Sequence, residues 1–194
     1  GNSVFENQSN LMFLGPPGSG KSTICAKLMH YFGTQYSTKP AVVHVTPEKL
    51  FEADRLNFYA KMFNFPFIRC HSPDIGSIPA DKGSLIEIAW DFQANFAHLH
   101  SGNSSSFSNF KLFLVLPAEI NNETLKQIIR VCPNIKSVIL NKCDYGRFSS
   151  KNLMLLFQKG YNIFILSGDR SVSTRLKEAD EDMMREFIEY TLKF

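Results

Sequence analysis

Gly15-Pro-Pro-Gly-Ser-Gly-Lys-Ser22 lies between an apolar run, Leu11-Met-Phe-Leu14, and a helix-like run from Thr23 to Phe32. The order is strand, glycine-rich loop, helix, and the G-x-x-x-x-G-K-S/T spacing is complete. Such a loop needs glycines because backbone N–H groups converge on an anion only where no Cβ intervenes. The following helix presents its positive N-terminal end, Lys21 can reach β- and γ-phosphates, and the Ser22 hydroxyl can ligate Mg²⁺. A glycine-rich turn with a chance lysine is the plain alternative, and it leaves the flanking strand and helix unexplained. The candidate phosphate-binding set is therefore Gly15, Pro17, Gly18, Ser19, Gly20, Lys21, Ser22 and Thr23. It calls for a nucleoside phosphate without naming the base or requiring hydrolysis.

The rest of the composition agrees with one globular domain spanning residues 1–194. At 194 residues the chain is long enough to bury a real core, and 44% hydrophobic with 20% charged residues is ordinary for such a domain. A net charge of +3 comes from 21 basic and 18 acidic residues spread along the chain. With no basic block, nucleic acid is not an expected partner. Cys25, Cys70, Cys132 and Cys143 have no C-x-x-C spacing and read as free thiols, which points to a reducing, cytoplasmic setting. No run reaches transmembrane length and no signal-peptide pattern opens the chain. The abrupt start suggests one domain of a longer protein.

Taken in order, apolar runs and helical stripes alternate. Strands are predicted at 11–14, 41–45, 65–68, 85–89, 110–116, 137–140 and 163–166. Helices are predicted from Thr23 to a stop at Gly33, from an N-cap at Thr46 with stripe Leu50, Ala53, Leu56, Ala60 and Phe63, and over 94–100, 122–131, 151–157 and 174–192. The last helix presents Leu176, Ala179, Met183, Phe187 and Tyr190 or Thr191 inward. Polar, Gly- or Pro-broken loops are read at 71–82 and 101–106. Most strands lack period-two alternation, so they are buried on both faces. Right-handed crossovers then give an α/β, three-layer P-loop NTPase fold: a mainly parallel central sheet with helices on both faces. Ligands of such sheets sit beyond the carboxyl ends of the strands.

Asn141-Lys142-Cys143-Asp144 follows the 137–140 strand. A carboxylate at Asp144 can accept from guanine N1–H and the exocyclic amine, a donor pair that adenine lacks. Asn141 can tie this loop to the P-loop and the Lys142 stem can lie along the base. Ser167-Gly168, ending the next strand, can line the base edge. Glu87, at the end of the 85–89 strand, has a solvated strand-end residue as its plain reading. Trp90 reads more readily as a helix-packing aromatic than as a nucleotide contact.

These pieces, in this order, resemble the signal-recognition-particle GTPases, the SIMIBI-class family of the signal-sequence-binding subunit, its receptor FtsY and the flagellar protein FlhF, with the FlhF type nearest in pattern. Ile24-Cys-Ala-Lys-Leu28 is similar to the family's T-x-A-K-L helix. Lys49 to Phe67 resembles the segment from D-T-Y-R to G-I-P, Leu114-Val-Leu-Pro-Ala118 resembles L-V-L-S-A-T, and Ser167-Gly168-Asp169 resembles the closing T-G-Q. The resemblance implies GTP or GDP with Mg²⁺, and a homodimer or protein partner met across the nucleotides. It also implies a cytoplasmic location, or one at the membrane periphery through a partner, and a place in flagellar biosynthesis. The family's preceding helical bundle has no counterpart in these residues.

Several family positions differ. Thr46 stands where the family's water-positioning aspartate does, and Lys49 replaces its arginine. The D-T-A-G-R loop corresponds to Glu87-Ile-Ala-Trp-Asp91, with Trp90 at the glycine and Asp91 at the arginine. By this resemblance a Mg²⁺ ligand through water is the other reading of Glu87. GTPase catalysis is mostly positioning and electrostatics around the γ-phosphate, so these changes imply hydrolysis that is slow or lost. The expected function is a nucleotide-dependent switch or assembly factor. The alternatives are a GTPase-fold scaffold for a protein partner, or a small-molecule P-loop kinase. The kinase would need an arginine-bearing lid, and 101–109 contains no arginine.

Overall fold

The computed structural model describes residues 9–35, 37–47, 54–80, 82–96, 109–144, 147–168, 171–173, 176 and 178–193. Seven strands form one sheet: β1 (Asn10–Leu14), β2 (Val42–Val45), β3 (Phe67–Cys70), β4 (Leu85–Ile88), β5 (Phe110–Pro117), β6 (Ser137–Asn141) and β7 (Asn162–Leu166). Their order is β3-β2-β4-β1-β5-β6-β7, and every neighbouring pair is parallel. The helices are α1 (Lys21–Gln35), α2 (Arg55–Met62), α3 (Gln93–Phe96), α4 (Asn122–Val131), α5 (Ser150–Gln158) and α6 (Glu181–Leu192). The expected three-layer α/β architecture is thus observed. No described helix is long and apolar enough to cross a membrane.

Successive side chains of a strand point to opposite faces, and the core divides accordingly. Leu11, Phe13, Leu85, Phe113 and Val115 pack with Ile24, Leu28 and Phe32 of α1 and Leu56 and Ala60 of α2. Met12, Leu14, Ile86, Ile88, Leu112, Leu114 and Leu116 pack on the other face with Leu125, Ile128, Leu153 and Leu156 of α4 and α5. Both faces are covered, which is why the strands read as unbroken apolar runs. The parity slips at one place: Val138 pairs with Ile163 but Ile139 with Ile165, so a bulge puts Ile163 and Ile165 on opposite faces.

Several expected boundaries move, each for a local reason. α1 continues through Gly33 to Gln35, because Gly33 keeps a φ outside the left-handed region and so does not form a glycine C-cap there. The described start of α2 is capped by Asp54, whose carboxylate accepts from the N–H groups of Leu56 and Asn57, not by Thr46. Thr46 instead extends β2, donating its N–H to Cys70 O at 2.9 Å. Lys49, Leu50 and Ala53 lie outside the described residues. At the other end of α2, Asn64 takes the left-handed conformation (φ 58°), and Phe65 N–H bonds back to Ala60 O at 2.8 Å. That Schellman closure keeps Phe65 with the helix, so β3 starts two residues later than the apolar run suggests.

Of the expected 94–100 helix only α3 is described, preceded by a 3-10 turn at Trp90–Phe92. The 101–106 loop lies outside the described residues. α6 starts at Glu181, not near 174, because Glu178 and Ala179 are extended and bridge the β7 edge; Ala179 N–H reaches Phe164 O at 2.8 Å. This covers an otherwise open sheet edge. The inner face of α6 is Met184, Phe187, Ile188 and buried Thr191, while Tyr190 is exposed.

Candidate functional site

The loops singled out in the sequence leave the carboxyl ends of β1, β4, β6 and β7, so they share one edge of the sheet. The loop after β1 needs glycine at two positions. Gly15 (φ 152°) lies so close to strand β5 that a Cβ would strike the Val115 carbonyl. Gly20 (φ 95°) lies so close to the β6 end that a Cβ would strike the Asn141 amide. α1 begins at the next residue, with Ile24 N–H bonding to Gly20 O at 3.0 Å. The first-turn N–H groups of an otherwise buried helix therefore point into the loop.

Lys21 is buried and bends over this loop, its Nζ donating to Gly15 O at 2.8 Å and Pro16 O at 3.3 Å. Burial lowers its pKa, and the nearby Glu87 carboxylate partly offsets that. Ser19 is fully buried, and its hydroxyl has no hydrogen-bond partner. Pro17 and Gly18 form the exposed tip of the turn, and Thr23 is half-buried in the first turn of α1.

Glu87 is not a solvated strand-end residue. It is 7% exposed, and its Oε2 accepts a 2.8 Å hydrogen bond from the Ser22 hydroxyl. Parallel pairing of β4 beside β1 produces this contact: Phe13, two residues before the loop, is in register with Glu87. A serine hydroxyl and one carboxylate, side by side at a phosphate loop, are the hard oxygen donors that fit Mg²⁺. That ion is usually held by one or two carboxylates plus phosphate oxygens rather than by an all-protein cage. Accordingly, no group of three or more His, Cys, Asp or Glu residues suited to a metal occurs among the described residues.

Asn141 ties the base-side loop to the phosphate loop. Buried at 5% exposure, it donates from Nδ2 to Ser19 O at 3.0 Å. Lys142 follows in the left-handed conformation (φ 60°), a strained choice for a side-chain-bearing residue and one that marks a forced turn. Ser167 N–H donates to Leu140 O at 2.8 Å, and Cys143 N–H donates to Ser167 O at 3.1 Å. A Cβ on Gly168 would lie 3.3 Å from Asp144 N, so Gly168 packs directly on that residue. Asp144 itself is exposed at the rim. The 141–144 and 167–168 loops are thus joined by the Ser167 backbone bonds and by Gly168 packing on Asp144, and Asn141 ties them to the P-loop.

Trp90 is half-buried and packs against the apolar cluster on the α4–α5 face, as a helix-packing aromatic would. Thr46 is buried, and its carbonyl accepts from His71 Nδ1 at 2.9 Å.

Two features escaped the sequence reading. One is Lys27, 2% exposed, whose Nζ donates to Ser167 Oγ at 3.1 Å. Its sequence signals are a charge inside the apolar Ile24–Phe32 stripe and its place in the segment similar to T-x-A-K-L, neither of which names its partner. The other joins His44, Asp54 and Arg69: Asp54 Oδ2 accepts from His44 Nδ1 at 2.9 Å and Arg69 Nε at 3.3 Å. Burial alone lowers the His44 pKa, but the bond to Asp54 and the charges of Glu87 and Asp54 raise it overall. For Asp54 burial acts upward, and the His44 bond and charge outweigh it and lower the pKa. The trio joins residues from β2, the α2 cap and β3, far apart in the chain.

The same sheet order and loop placement occur in solved structures. FlhF complexed with GMPPNP and Mg²⁺ matches with a TM-score of 0.72 at 16% identity, over 94% of this chain and 74% of that one. This is the fold of the signal-recognition-particle-type GTPases. The cell division protein FtsY of Thermotoga maritima matches with a TM-score of 0.64 at 16% identity, over 96% of this chain and 72% of that one. The signal recognition particle 54 kDa protein of Aeropyrum pernix, in complex with GDP, matches with a TM-score of 0.64 at 17% identity. That match spans 99% of this chain and 50% of the other. No protein-family model matches this chain, and no curated protein matches it in sequence. At such identities the likeness to these GTPases is one of fold.

Proposed function

We propose that this chain binds a guanine nucleotide, GTP or GDP with Mg²⁺, and acts as a nucleotide-dependent switch or assembly factor whose own hydrolysis is slow or absent. The observation that carries the reading is the Asn141–Ser19 hydrogen bond, which seats the loop bearing Asp144 on the loop bearing Lys21. A phosphate grip and a guanine-selective carboxylate are thereby set in one frame. Gly15 to Thr23 hold the phosphates, and Asp144 accepts from the guanine edge. Lys142 flanks the base, and Ser167 and Gly168 back the Asp144 loop. Ser22 and Glu87 hold Mg²⁺, which when bound neutralises phosphate charge.

The chain's own residues also give the reason for slow turnover. At the position aligned with the water-positioning aspartate, Thr46 offers a hydroxyl, and neither Trp90 nor Asp91 supplies a cation to the γ-phosphate. On the FlhF likeness, the switch works in flagellar assembly, in the cytoplasm or at the membrane periphery, through a homodimer or a protein partner. Titration with fluorescent GDP, GTP and ATP analogues tests the reading. Nanomolar-to-micromolar guanine binding that Lys21→Ala abolishes is the expected result, and a preference for ATP would end it. The Trp90 packing favours a second reading, a scaffold for a protein partner in which nucleotide is a structural ligand. Partner affinity that is equal with GDP and GTP would select that reading over the switch.

A further inference from the structure

α1 carries Lys21 and Ser22 in its first turn and Lys27 six residues on, about 9 Å further along the axis. A buried lysine in a packed helix is costly unless its ammonium is engaged. Here Nζ donates to the hydroxyl of Ser167 across 140 residues of sequence. Ser167 is itself pinned on both backbone sides to the guanine loop, through Leu140 O and Cys143 N–H. The next residue, Gly168, packs on Asp144.

We infer that Lys27 is a positioning residue for base selectivity: it fixes Ser167, and through Ser167 and Gly168 the carboxylate of Asp144, relative to the helix that grips the phosphates. The inference rests on the guanine-nucleotide reading above and deepens it. Base and phosphate recognition are then coupled through one rigid element. The phosphate end is anchored by α1 directly, so the Lys27–Ser167 bond bears on the base end.

The test compares Mg²⁺-supported binding of GDP, IDP, ADP and inorganic pyrophosphate by calorimetry or competition. IDP lacks the exocyclic amine, so the GDP-to-IDP affinity ratio reports the alignment of Asp144. Lys27→Met keeps the length and apolar stem without the donor, and Ser167→Ala keeps the lysine without its acceptor. Both variants should lower the GDP-to-IDP ratio, Lys27→Met by about tenfold, the effect of losing one well-aligned hydrogen bond. Pyrophosphate affinity should stay within about twofold of wild type, a smaller change than any direct phosphate contact gives. The double variant should lose no more selectivity than Lys27→Met alone.

GDP, IDP and pyrophosphate weakening in parallel would overturn the inference, since Lys27 would then only support the fold. An unchanged ratio in folded variants would overturn it equally. Should Lys27→Met fail to fold by circular dichroism, Ser167→Ala decides by the same two criteria. Wild-type protein without guanine preference would sink the parent reading and this one with it. Wild-type preference that survives both substitutions would sink this one alone.

Discussion

Replacing Gly20 with alanine tests whether the loop that begins at Asn141 is seated on the Gly15–Ser22 loop. The backbone there has φ 95°, where an L side chain is strained by about 1–2 kcal/mol. Independently, the new Cβ would occupy the place of the Asn141 amide. Asn141 must then move and give up its 3.0 Å bond to Ser19 O, at a cost of about 1–3 kcal/mol for a buried group left unpaired. The single variant should therefore lose about 2–5 kcal/mol, the sum of the two terms. Asn141→Ala alone should lose about 1–3 kcal/mol.

The double variant is the informative one. With Asn141 already shortened, the alanine Cβ at position 20 meets no amide, and only the backbone strain is added. Its loss should then match that of Gly20→Ala rather than the sum of the singles, a coupling of about 1–3 kcal/mol. Urea unfolding with an unchanged m-value measures all three, and nucleotide affinity measured alongside should follow the same pattern. Additive losses would refute the reasoning: Gly20 and Asn141 would not be in contact, and the two loops would not share a frame.

Other expectations follow from named contacts. Glu87→Gln can keep a partner for Ser22 but loses the charge, so the Mg²⁺ concentration needed for half-maximal nucleotide binding should rise about tenfold or more, with metal-free binding little changed. Titrating Mg²⁺ into a fluorescent-GDP complex reads this, and an unchanged requirement would remove Glu87 from the metal site. The His44–Asp54 pair should stabilise the fold between two limits. Its His44 contribution is complete below the ordinary pKa of 6.5 and is lost as pH rises through the raised folded value. Its Asp54 contribution is complete above 3.8 and is lost as pH falls through the lowered folded value. Thermal melts of wild type and His44→Gln should therefore differ most in mildly acidic buffer and converge at alkaline pH. Gly33→Ala should stabilise by about 0.5–1 kcal/mol through helix propensity, because its Cβ lies at an ordinary 3.7 Å from the Phe65 ring. A destabilised variant in urea would show that Gly33 is held tighter than that.

The layered fold was legible because burial on both sheet faces writes itself as unbroken apolar runs, and β1, β5 and β6 each appear as one. The turn at 15–21 was legible because it is local: Lys21 lies six positions after Gly15, and its Nζ donates to Gly15 O. Boundaries set by capping were harder to see. The described start of α2 lies at Arg55, where the Asp54 carboxylate accepts from Leu56 and Asn57 N–H, eight residues past Thr46, whose own N–H bonds to Cys70 O of β3. The 174–192 stripe misled because Leu176 is buried by the opposite core cluster while Ala179 pairs with the β7 edge, so apolar spacing there has no helical cause. Lys27 and the His44–Asp54–Arg69 trio depend on strand order, and β3-β2-β4-β1 is not written in any one stretch.

Glu87 shows how the departures from the GTPase pattern sort into two kinds. The Glu87 carboxylate, at the β4 end, reaches Ser22 directly, at 2.8 Å. That contact keeps oxygen donors where a metal and phosphates need them. Trp90, three residues on, is half-buried and packs against the apolar cluster that includes the α4 and α5 residues. Thr46 is buried, its backbone N–H and C=O committed to Cys70 and His71. The contacts seen in the structure therefore join Gly15, Gly20, Lys21, Ser22, Glu87 and Asn141, and the proposed slow turnover rests on Thr46, Trp90 and Asp91. Single-turnover hydrolysis by the isolated chain should then lie near or below about 10⁻³–10⁻⁴ s⁻¹, the level of an unassisted small GTPase. A rate near 1 s⁻¹ without a partner would show that Thr46 or a neighbour replaces the missing carboxylate.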